Sequence, residues 1–95
     1  MELIDMRTQL RTARAAAVFA SDLATGSRPD VTTVTAAIAA AVHARGGTRG
    51  CIAAVATAYG DYPESAARRM RWALGTVTTA YDRRPRIPDR ELAAA

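Results

Sequence analysis

The 95-residue sequence contains no lysine and no asparagine, and its basic charge comes from 13 arginines alone. Alanine, by contrast, occurs 23 times. Alanine and arginine have GC-rich codons, whereas lysine and asparagine have AT-rich ones, so the bias indicates a GC-rich bacterial genome. The arginine excess is therefore not by itself evidence of phosphate recognition, although arginine suits that role.

Cysteine is nearly absent, and long apolar runs are missing. The single cysteine, Cys51, excludes an intramolecular disulfide and favours a reducing compartment. The first thirteen residues lack the apolar region of a signal peptide, and the longest uninterrupted apolar stretch, 36–42, is too short to span a membrane. We therefore expect a cytoplasmic protein that does not contact a membrane.

Groups that carry catalysis or bind metals are also scarce. His43 is the only histidine, and no acid or nucleophile lies at a spacing that would make it a general base. Cys51 has no nearby histidine or aspartate, and no cluster of ligand side chains predicts a metal site. The sequence predicts that the protein is not an enzyme, with no catalytic residue, no metal and no cofactor.

Large apolar residues are few, since Leu, Ile, Val and Phe together number 16. Alanine is the best helix former, so the sequence predicts helices that pack closely through alanine. We expect an all-α fold, a small bundle of about four helices over residues 1–81, followed by an Arg/Pro-containing tail over 82–95. Because the core is thin for a monomer of this size, we also predict a homodimer.

The first two predicted helices are separated by a Gly- and Pro-containing segment. The first runs from about Glu2 to Leu23, and its apolar stripe consists of Leu3, Met6, Leu10, Ala13 and Ala17. Asp30 is predicted to cap the second helix, which runs from Val31 to about Ala44 and ends at Gly46.

The next two predicted helices are joined by a tight turn. Thr48 is predicted to cap the third helix, which reaches Tyr59, and Gly60 is predicted to end it in a left-handed conformation. Asp61 and Glu64 have the spacing of a capping box around Pro63, which suits a first helical turn.

The fourth predicted helix runs from about Tyr62 to Ala80 and ends near Tyr81. Its helical spacing predicts a buried face made of Ala66, Met70, Ala73, Leu74 and Val77.

The segment from Ile52 to Leu74 resembles the helix-turn-helix unit of DNA-binding proteins. The matching residues are Val55 and Ala56 in the first helix, Gly60 in the turn and Ala66 in the second helix. Arg69 departs from the pattern, because it stands where the last core position is normally apolar. The resemblance implies that the second helix enters the major groove of DNA.

On this interpretation the second helix and the tail supply the nucleic-acid-binding residues. These are Ser65, Arg68, Arg69, Arg71, Arg83, Arg84 and Arg86. Arginine can pair with guanine or with phosphate, and phosphate contacts make the affinity salt-dependent. The alternative is that these arginines form an ordinary solvated helix face.

A protein partner offers a second interpretation. Phe19, Leu23 and Trp72 lie off the main apolar stripes and are predicted to form a partner interface; the alternative for Trp72 is packing beneath the first helix. The leading hypothesis is thus a small DNA-binding or transcription-regulating protein that acts as a homodimer. The alternative hypothesis is a helical protein–protein interaction module, an adaptor or accessory subunit with no nucleic-acid role.

Overall fold

The computed structural model describes residues 2–82, which form four α-helices and a terminal π-helical turn and contain no strand. The all-α prediction is confirmed. The elements are α1 (Glu2–Ala20), α2 (Val31–Arg45), α3 (Thr48–Asp61), α4 (Pro63–Val77) and a π-helical turn (Thr78–Asp82). The tail residues Arg83, Arg84 and Arg86 lie outside the described residues.

The C-terminal half of α1 is the centre of the bundle. Five consecutive residues, 15–19, are buried, and α1 packs against α2, α3 and α4. The predicted apolar stripe of Leu3, Met6, Leu10, Ala13 and Ala17 is not a buried side, since Met6 and Leu10 are exposed. Three helices surround the end of α1, so every side of it is covered, and the small alanine side chains let its neighbours approach closely.

Helix α2 begins and ends at the predicted residues. The Asp30 carboxylate accepts a hydrogen bond of 2.8 Å from the backbone N–H of Thr33, as expected of an N-cap. This hydrogen bond lowers the pKa of the Asp30 carboxyl from its ordinary value. At the other end, Gly46 adopts the left-handed conformation with a φ of 75°.

The break between α3 and α4 differs from the prediction. Gly60 has no positive φ and lies inside α3, and the only residue between the two helices is Tyr62, with φ −143° and ψ 73°. Pro63 explains this position, because proline disfavours the α conformation in the residue before it. The predicted capping box is also wrong, since Asp61 is the last residue of α3 and α4 has no side-chain cap.

The N-terminus of α3 also differs from the prediction. Its N-cap is Gly47 rather than Thr48, and no side chain caps it. The positive φ of Gly47, 114°, is accessible to glycine but strained for other residues.

Helix α4 packs along α1, largely as its spacing predicts. Ala66, Ala73 and Val77 are buried, whereas Leu74 is 38% exposed and does not join the predicted core face. In the π-helical turn that follows α4, the ring of Tyr81 lies under the Arg14 guanidinium. The central guanidinium carbon is 3.9 Å from the centre of the ring. The Tyr81 hydroxyl also lies 2.6 Å from that of Thr35, so the π-helical turn is joined to both α1 and α2.

Candidate functional site

The largest set of polar side-chain contacts in residues 2–82 surrounds Arg69, whose guanidinium reaches the end of α1. The last carbonyl oxygens of a helix have no hydrogen-bond partner within it, so side-chain donors placed there satisfy them. The guanidinium donates to the carbonyl oxygens of Val18, Phe19, Ser21 and Leu23 and to the hydroxyl of Thr25, over 2.7–3.4 Å.

Two aromatic rings cover the same guanidinium. Its central carbon lies 4.9 Å from the centre of the Trp72 ring and 5.6 Å from that of Phe19. Partial burial lowers the pKa of Arg69, yet arginine stays charged at neutral pH. Arg69 therefore holds the α1–α2 connection against α4, and its assignment to phosphate binding is corrected.

The three residues predicted to form a partner interface instead belong to this internal contact. Phe19 is 6% exposed and stacks on Tyr59, with ring centres 6.5 Å apart. Leu23 packs partly buried against the core. Trp72 is half-buried and donates from its indole N–H to the Ser27 carbonyl at 2.9 Å, so the packing alternative describes it correctly.

The remaining predicted nucleic-acid residues within 2–82 do face solvent. Ser65, Arg68 and Arg71 are all exposed on α4, and Arg68 and Arg71 lie nearly one turn apart. The exposed carboxylate of Glu64 lies in the first turn of the same helix. The outer side of α4 thus carries two available arginines rather than the three that the sequence predicted.

A shallow groove lies between α4 and the α1–α2 connection. Gly26, Ser27, Arg28 and Pro29 form one wall, and Trp72, Gly75, Thr76 and Thr79 form the other. A methyl group on Gly75 would meet open space, so nothing within the described chain requires glycine there.

The least charged surface belongs to α2 and α3. Residues 31–60 contain no aspartate or glutamate and only two arginines, Arg45 and Arg49. Charged residues make up about 25% of a typical globular domain, so this is a low charge density for two helices with extensive exposed sides. We call the exposed residues of these helices the α2–α3 surface.

Helix α3 contributes the larger apolar side chains to the α2–α3 surface. Ile52 is 48% exposed and Tyr59 is 39% exposed. Small residues lie beside them at helical spacing, namely the exposed Ala53, Ala56 and Gly60. Small residues on an open helix side let another backbone approach closely. The absence of acidic residues from 31 to 60 was visible in the sequence and could have indicated this surface.

The two candidate reactive side chains lie in contrasting environments. Cys51 is fully buried, and burial raises the pKa of its thiol. His43 is exposed in the last turn of α2. In residues 2–82 no group of three or more His, Cys, Asp or Glu side chains could hold a metal ion, and no helix there is long and apolar enough to cross a membrane.

Comparison with protein-family models, with curated proteins and with solved structures finds no match to this chain.

Proposed function

We propose that this chain is a helical protein–protein interaction module that binds its partner through the α2–α3 surface. The observation that carries the proposal is the thirty-residue acid-free segment 31–60, which forms two helices with exposed sides. Interfaces are depleted in charged residues at their centres and enriched in aromatic residues. The α2–α3 surface has the first of these properties, and Tyr59 is its one aromatic residue.

Site-specific photo-crosslinking in the source cells tests this proposal. A photoreactive residue at the exposed Ala39 or Ala53 should give a discrete crosslinked protein product. The same residue at the exposed Thr78, in the π-helical turn that follows α4, is the matched control and should give none. Equal crosslinking at all three positions, or none at any, would contradict the proposal.

DNA binding is the second candidate, and the exposure of Arg68 and Arg71 favours it. Three features weigh against DNA binding. Arg69 points inward, and a single residue connects α3 to α4, where a helix-turn-helix unit has about three to four. Residues 2–82 also contain nine arginines and seven acids, so their net charge is low.

A fluorescence-anisotropy titration with random duplex at about 50 mM salt tests the second candidate. If α4 binds DNA, Arg68→Ala and Arg71→Ala should each weaken binding, and Arg45→Ala, on another helix, should not. If the parent protein binds no duplex DNA, DNA binding is excluded and the interaction module remains as the candidate function.

We further infer that the protein is bacterial and cytoplasmic. The codon-linked arginine and alanine bias supports a GC-rich bacterial source, and the free thiol of Cys51 fits a reducing compartment.

A further inference from the structure

The groove between α4 and the α1–α2 connection brings an indole ring together with a glycine that the described chain does not require. Trp72 is half-buried, and its N–H is already donated to the Ser27 carbonyl, so the ring gives the groove an apolar wall. Nearly one turn further along α4, Gly75 lies inside the helix, where glycine is less favourable than alanine. Glycine is favoured at such a position when another chain has to approach the helix backbone closely.

The wall that α4 and the π-helical turn contribute to the groove is a single row of residues. They recur at intervals of three and four positions, which places them on one side of the helix. The residues of the row are Trp72, Gly75, Thr76 and Thr79. Because Thr79 follows Trp72 by seven positions, the row is about 10 Å long.

The sequence that follows this row has matching dimensions. The π-helical turn ends at Asp82, three residues after Thr79, and the 13 residues beyond it include Pro85 and Pro88. A polyproline II helix has three residues per turn and rises about 3.1 Å per residue, so prolines at this spacing lie on one side of it, about 9 Å apart. Three residues span up to about 10 Å, which is enough for Pro85 to reach Thr79.

The charges beyond the second proline are complementary to those beyond Trp72. In the tail, Asp89 and then Arg90 come directly after this proline. On α4, Arg68 and then Glu64 precede Trp72 at spacings of one helical turn, and both are exposed. A tail that runs antiparallel to α4 therefore places its aspartate near Arg68 and its arginine towards Glu64, so that each charge faces one of opposite sign.

We propose that the groove is a docking site for the chain's own segment 85–90, which binds as a polyproline II helix antiparallel to α4. In this arrangement the two prolines pack along the row from Thr79 to Trp72, and Gly75 leaves room for the backbone between them. Aromatic-lined grooves bind such segments because a polyproline II helix loses little conformational entropy on binding. The covalent attachment close to the row raises the effective concentration of the segment to about millimolar, so modest contacts suffice.

This inference goes beyond the proposed function, which concerns the α2–α3 surface. Trp72 is the chain's only tryptophan, so its fluorescence reports on the groove alone. Acrylamide quenching of the full chain measures how far the ring is shielded. The double variant Pro85→Ala, Pro88→Ala should raise the quenching constant about twofold, because the docked fraction falls. Arg84→Ala changes the same tail outside the docked segment and should leave quenching at the parent value.

A charge swap tests the antiparallel direction. Asp89→Arg and Arg68→Asp should each raise the quenching constant, because an attractive pair becomes a repulsive one. The double variant restores opposite charges and should recover the parent value. Arg49→Asp makes the same chemical change on α3 and should have no effect.

A parent that is quenched as strongly as the proline double variant would overturn the inference, as would charge swaps without effect. Shielding that increases with protein concentration would also overturn it, since the groove would then hold the tail of a second copy. Shielding that is independent of concentration and lost in the proline double variant would support it. None of these outcomes bears on crosslinking through Ala53, so failure of this inference is distinguishable from failure of the proposed function.

Discussion

The role that the sequence predicts for Arg69 differs from the one that the structure shows. In the sequence Arg69 lies between Arg68 and Arg71, and this position predicts that it is part of a basic helix side. In the fold it falls on the side of α4 that faces α1, where several helix-end carbonyls converge. Helical spacing separates Arg69 from its neighbours by about 100° on each side, but the sequence does not show which acceptors lie opposite.

Replacement of Arg69 should destabilise the fold. Arg69→Ala removes charged donors from carbonyl oxygens at the end of α1, and we expect a loss of about 2–3 kcal/mol in the free energy of unfolding. Arg69→Lys should recover little, because an ammonium cannot reproduce the planar fork of donors. Urea unfolding gives the measurement. Arg68→Ala is the matched control, and a parent-like midpoint for Arg69→Ala would contradict the assigned role.

Gly50 is the glycine that packing requires. An added Cβ there would collide with the backbone carbonyl of Arg45 at the end of α2. Gly50→Ala should therefore cost about 1–3 kcal/mol, as for other overpacked sites.

Gly60 provides the control for the Gly50 prediction. It lies within α3 with no atom near an added methyl group, so Gly60→Ala should stabilise the protein by about 0.5–1 kcal/mol. Thermal melts of both variants check the pair, and a stabilising Gly50→Ala would show that the α2–α3 corner opens easily.

At the scale of the helices, the features with strong local chemistry could be predicted from the sequence. Asp30 begins α2, Gly46 ends it and Pro63 opens α4, because each acts on the backbone within a few residues. The burial pattern of α1 could not be predicted in this way. Periodicity assumes one buried side, whereas tertiary packing covers every side of residues 15–19.

The α3–α4 break belongs to the same scale. Both Gly60 and Pro63 are local signals that end a helix, and the proline determines the outcome through Tyr62. A valine at position 60 is therefore not expected to strain the backbone, contrary to the left-handed turn that the sequence suggested.

The Asp30 cap should make the stability of the protein depend on acid pH. The folded pKa of this carboxyl lies below the unfolded value, so its contribution is complete above the unfolded pKa and is lost as the pH falls through the folded pKa. Asp30→Ala should lower the melting temperature at neutral pH, and the difference from the parent should shrink below about pH 4. Asp30→Asn retains the cap without a titrating group. A difference between parent and Asp30→Ala that stays constant into acid would contradict this origin.

Across the whole molecule, charge is divided between helices rather than spread evenly. Helices α1 and α4 carry most of the arginines within the described chain, while α2 and α3 carry no acid before Asp61. Total charge and composition do not reveal this division, which becomes visible when charge is counted helix by helix. The homodimer predicted from the thin core remains a prediction.

The predicted homodimer should make thermal stability depend on protein concentration. Association stabilises the folded state by mass action, so each tenfold increase in concentration above the dissociation constant adds about 0.7 kcal/mol per chain. For a domain of this size that corresponds to a rise of roughly 3–6 °C in the melting temperature. Calorimetry over a hundredfold concentration range measures the shift. A melting temperature that is independent of protein concentration would contradict dimer formation and would mean that the alanine-packed core is sufficient for a stable monomer.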